Sequence, residues 1–94
     1  MTRPPKTYWL RGALIHYVRE RPSEDADGEC DPPGPHRAIR IDPTLPVERL
    51  VVVLIHEGLH ACLWDQGEDA VTETAESLGA LVLGEVVVTK RYEP

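Results

Sequence analysis

The chain has 94 residues, with sixteen Asp and Glu against ten Lys and Arg and a formal net charge of -6. That length leaves room for one small domain and excludes a second core. The acid excess argues against non-specific binding of nucleic acid or an anionic membrane, both of which need a basic face. There is no Phe, so a core must be assembled from Val, Leu, Ile and Ala. Domains of this size commonly rely on a disulfide, a metal or a partner, and two cysteines allow at most one bridge.

In chain order, the basic, proline-containing N-terminus (MTRPPK) is not followed by an apolar secretory segment. Thr7 to Arg19 (TYWLRGALIHYVR) is rich in aromatic and β-branched residues and reads as one or two strands with a bend at Gly12. Residues 22–37 carry four prolines with Ser, Asp and Gly, the composition of an exposed loop. Ala38 to Asp42 (AIRID) alternates as a half-buried strand should. Pro46 suits a first helical position and Glu48 suits the first turn. The helix that follows is expected to reach about Trp64, through an apolar run at Leu50 to Ile55 that is far short of a membrane span. Asp65-Gln66-Gly67 breaks the pattern, with Gly67 placed as a cap. A second helix is expected over about Glu68 to Leu83, its apolar stripe centred near Leu78. Gly84 onward fits either continued helix or a closing strand. Cys30 and Cys62 lack CxxC spacing and read as thiols of a cytoplasmic protein.

The chemistry lies in His56-Glu57-Gly58-Leu59-His60, an HExxH sequence. Four residues apart on a helix, two imidazoles share a face and can hold one zinc ion, with Glu57 in reach of a zinc-bound water. Such a water loses its proton near neutrality, and Glu57 would take it as general base and return it to a leaving amine. Two uncoordinated histidines and a glutamate inside an apolar helix would be costly.

A third protein ligand is needed. The HExxHxxGxxH variant is absent, with Leu63 and Gln66 where its glycine and third histidine would stand. A carboxylate is therefore expected, from Glu68, Asp69, Glu73, Glu76 or Asp65. Judged by angle from the apolar stripe, Glu73 is chosen over Glu76, and Glu68 is set aside as lying at a frayed helix end. His16 and His36 are read as packed or surface residues. Tyr17, Arg91 and Tyr92 are candidates for stabilising an oxyanion.

The order of strand, HExxH helix, turn and glutamate-bearing helix resembles the zincin metallopeptidases of the glutamate-liganded kind. The stretch RIDPTLPVERLVVVLIHEGLHACLWD followed by EDAVTETAESLGALVL is similar to minimal metallopeptidase-like proteins of phages and prophages, in the style of the SprT-like and ImmA/IrrE-like families. The resemblance implies an α+β fold, a single domain over residues 1–94 with a small sheet packed on two helices. It also implies His56 and His60 as Zn2+ ligands, Glu57 as catalytic base and a second-helix glutamate completing the site. By the same likeness Ala38 to Asp42 would lie at the sheet edge and pair with an extended peptide. The expected function is zinc-dependent hydrolysis of a peptide or protein substrate. The alternative is a non-catalytic binding or regulatory module stapled by a structural zinc. Long apolar helices on so short a chain also suggest a homodimer.

Overall fold

A computed structural model describes residues 6–23 and 25–92, with side chains through residue 86. Four strands precede two helices: β1 Lys6–Leu10, β2 Ala13–Val18, β3 Gly28–Cys30, β4 Ala38–Ile41, α1 Val47–Cys62 and α2 Glu68–Tyr92. The architecture is α+β. A mixed sheet of order β1-β2-β4-β3 carries α1 on one face, and α2 packs on α1.

The expected bend at Gly12 is a two-residue hairpin turn. Leu10 and Ala13 are paired, and Arg11 and Gly12 both have positive φ, 49° and 81°. That combination is the mirror-image turn whose twist matches two adjoining antiparallel strands. β2 runs parallel to β4, and β3 returns antiparallel to β4 on its other side.

β4 is therefore an inner strand, not the edge that the family likeness implied. Ile39 and Ile41, two residues apart and so on one face of the strand, are buried in the core against α1, in agreement with that position. The edge beside α1 is β3, which lies inside the stretch 22–37 expected to be exposed loop. All three β3 residues are half-buried.

The core joins Ile15, Ile39 and Ile41 of the sheet to Val53 and Ala61 of α1. Pro46 stands one residue before α1 with extended backbone, not at its first helical position, and Glu48 lies in the first turn as expected. α1 stops at Cys62, two residues short of the sequence expectation. α2 settles the ambiguity after Gly84 as continued helix, through Tyr92. Its buried stripe is Val71, Ala75 and Gly79, and Leu78 is 41% exposed. Among the described residues no helix is long and apolar enough to cross a membrane.

Candidate metal centre

His56 and His60 stand one turn apart on α1, as their spacing requires, with ring centroids 4.9 Å apart. Their Nε2 atoms are 3.2 Å from each other. The turn at Leu63 to Gly67 folds the first residue of α2 back over them. Glu68 Oε1 then lies 2.8 Å from His56 Nε2, and Glu68 Oε2 lies 3.0 Å from His60 Nε2. Among the described residues these three form the group whose ligand atoms all fall within 4.8 Å of one another, the arrangement that could hold a metal ion.

Glu73, the carboxylate chosen from the sequence, is exposed. It lines a separate surface depression with Glu76 and Leu78 and is not part of the cluster. The physical reason is the true stripe of α2. With Val71, Ala75 and Gly79 turned toward α1, Glu68 falls on the same side of the helix and Glu73 does not. The first turn of α2 is held, with Val71 N–H donating to Gly67 O at 3.1 Å.

Glu57 is offset from the two histidines and is 7% exposed. It lines a cleft of about 510 Å3 together with His56, His60, Glu68, Trp64 and Cys30. Burial, reinforced by the charges of Glu68 and Glu29, pushes its carboxyl up to about 7. Gly28 of β3 closes that side of the cleft. A Cβ there would come within 2.7 Å of Val53 Cγ1 and 3.1 Å of Glu57 Cγ, so only glycine lets β3 lie this close to α1. Cys30 and Cys62 are both free thiols, and burial pushes Cys30 up to about 11.

Two residues that sequence reasoning passed over shape the site. Arg37 is 6% exposed. Its guanidinium donates to Ala61 O at 2.9 Å, His60 O at 3.3 Å and Asp31 O at 2.9 Å. It thereby supplies hydrogen bonds to carbonyls at the end of α1 that the helix itself leaves open. The guanidinium also sits 5.5 Å over the Trp64 ring, and Trp64 meets His60 edge-on at 6.1 Å. An arginine next to a proline-rich stretch carries no sequence signal of this role.

Tyr17 packs against Tyr8 and lines a different depression, between the β1–β2 hairpin and α1. It does not line the cleft. The side chains of Arg91 and Tyr92 lie outside those described. Comparison with protein-family models, with curated proteins and with solved structures finds no match to the chain.

Proposed function

We propose that the chain is a zinc-dependent peptidase built on a minimal zincin-like core. The observation that carries this reading is the convergence of His56 Nε2, His60 Nε2 and the Glu68 carboxylate. Four-coordinate zinc with ligands at its usual bond lengths separates neighbouring donors by about 3.3 Å. The separations here are 2.8, 3.0 and 3.2 Å. A neutral imidazole can turn a lone pair on Nε2 toward a cation, and with the Glu68 carboxylate the two rings then offer three donor atoms to one ion. Two imidazoles and one carboxylate form a donor set suited to catalytic zinc, which keeps a position open. Glu68 is exposed and the cluster opens into the cleft, which favours an open site over a closed structural one.

Zinc bound there supplies Lewis-acid polarisation of a water molecule and of a substrate carbonyl. Glu57 then receives the proton from the attacking water at a carboxylate oxygen. As the carbon–nitrogen bond breaks, it delivers that proton to the departing amine. His56, His60 and Glu68 hold their positions through the packing of α1 on the sheet and of α2 on α1. The outer edge of β3, bordering the cleft at Asp27, Gly28 and Cys30, offers unpaired backbone groups along which an extended peptide can lie.

The test is a comparison of metal content and peptide hydrolysis in wild type, Glu57→Gln and Glu68→Gln. Glu57→Gln is expected to retain one zinc per chain and to lose at least 100-fold in hydrolysis, the scale of a general base. Glu68→Gln is expected to lose the metal as well. Equal hydrolysis by wild type and Glu57→Gln would overturn the reading.

A further inference from the structure

The side of the two-helix layer opposite the sheet has no cover among the described residues. On α1, with residues about 100° apart, Val53 and Glu57 point to the sheet and Val52 meets Gly79 of α2. Val51, Ile55, Leu59 and Cys62 consequently fall on the far side, and all four are partly exposed. On α2, Glu68, Thr72 and Glu76 line the cleft and Val71, Ala75 and Gly79 face α1. The flank away from the cleft holds Leu78, Val82 and Leu81, exposed by 41%, 40% and 61%. The pairing of Val52 with Gly79 and of His60 with Glu68 sets the helices antiparallel, so both apolar flanks adjoin as one surface. A helix that is apolar nearly all round is ordinarily buried all round. Among the described residues α1 is covered only by the sheet and by α2.

We propose that this surface pairs with a second copy of the chain, so that two domains stack with their helices inside and their sheets outside. This inference does not depend on the metal. Three observations favour a second copy over an unlike partner. First, the middle of the face, from Val51, Ile55 and Leu59 to Leu81 and Val82, is apolar although the chain has a net charge of -6, and the acids Glu73 and Glu76, beside Leu78, border it on the outer side of α2. A twofold contact sets equivalent patches against each other, so an uncharged face avoids the self-repulsion of a charged one. Glu48 and Glu85 stand at one end of it, both exposed, where the polar rim of an interface belongs.

Second, the size is right. α1 is about 24 Å long and two helices side by side are about 20 Å wide. With the overhang of α2, the flat footprint is on the order of 600 Å2 before the corrugation of side chains is counted. A stable dimer needs about 800 Å2 of accessible surface per partner. Third, α2 outruns α1. Val86 lies seven residues beyond Gly79 on the α1-facing side, yet it is 58% exposed because α1 has already ended. A twofold neighbour can place helix where α1 is missing.

Sedimentation equilibrium and light scattering on the zinc-supplemented protein test this over micromolar to millimolar concentration. The expected mass is twice 10.5 kDa, falling toward the single-chain value on dilution. The double variant Leu78→Lys, Val82→Glu is expected to weaken dimerisation by about a hundredfold or more, since charges would be buried in an apolar contact. Its far-UV circular dichroism should be unchanged, because both side chains are exposed in the single chain. A wild-type mass of one chain across the whole range would overturn the proposal, whether or not the variant folds. So would an undiminished dimer in a folded variant, or a single chain that binds only an unlike protein through this face.

Discussion

Arg37 is more deeply placed than either histidine, and its removal would be felt at both ends of its contacts. Replacing it with Met leaves the carbonyls of Ala61, His60 and Asp31 without their charged donor. Hydrogen bonds to buried charged groups are worth about 1.5–3 kcal/mol each, non-additively, so Arg37→Met is expected to cost about 2–4 kcal/mol by urea denaturation. A general loss of stability would not change zinc affinity at a temperature where the protein remains folded. If Arg37 holds His60 in place through the end of α1 and through Trp64, zinc affinity falls as well. Arg37→Lys, which keeps the charge but not the planar fork, should restore stability only in part. Unchanged affinity in folded Arg37→Met would confine the residue to a structural role. The contrast with the histidines shows what a single residue discloses in a sequence. HExxH announces itself by spacing, because the helix alone brings the two rings together. Arg37 acquires its role only when β4 is laid beneath the end of α1. Glu68 stood among the candidate carboxylates, but the sequence could not choose it, because its place depends on the path of the turn before α2.

Between elements, β3 is held to β4 by more than its short ladder. Arg40 pairs with both Glu29 and Asp31 across the two strands, and Ser23 Oγ donates to Glu29 Oε2 at 2.7 Å. The Arg40 guanidinium, with Ser23 assisting, holds the Glu29 carboxyl below the ordinary carboxylate range. Because the folded pKa is lower than the unfolded one, this contribution is complete above the usual Glu value of about 4.3. It is lost as pH falls through the folded value. The urea midpoint of the wild type is therefore expected to drop on acidification from about pH 5 to pH 3. Glu29→Gln should start about 1 kcal/mol lower at pH 7, the scale of a partly exposed pair, and should fall less steeply. Parallel pH profiles for the two proteins would remove Glu29 from the acid response. β3 is also the element the sequence hid. Gly-Glu-Cys has neither the length nor the apolar alternation of a recognisable strand, and it stands among prolines and acids. Its pairing depends on Arg40 and on the space that Gly28 leaves beside Val53, both of them contacts across the fold. The other three strands and α2, by contrast, were legible because their apolar patterning is local, whereas the apolar run Leu50 to Ile55 of α1 also reads as a buried strand and is marked as helix by the HExxH spacing that follows it. The apolar stripe of α2 was misplaced toward Leu78 because that side chain is apolar yet exposed.

At the scale of the whole molecule, the domain divides by what holds each part. The sheet and α1 share one core, in which Ile15 and Ile41 are the largest fully buried side chains. α2, 25 residues long, takes its extensive packing from α1. A metal joining Glu68 to His56 and His60 would fasten the start of α2 to the end of α1, and the proposed second copy would cover its later turns. Zinc binding only the folded state stabilises by about 2.7 kcal/mol at a concentration 100 times Kd. For a domain of this size that corresponds to a rise in Tm of roughly 10–20 °C. The gain should not be evenly distributed. In hydrogen exchange, chelation is expected to release the amides of the first two turns of α2, Glu68 to Ala75, before those of β2 and β4. Local opening of this kind costs less than unfolding the shared core. Equal loss of protection in the sheet would show that the metal supports the domain as one cooperative unit. No response to zinc or chelator in any segment would count against the metal itself. The shortage of core implied by 94 residues without Phe thus falls on the helix pair, where α2 closes the donor cluster begun by α1 and shares the uncovered apolar flank with it.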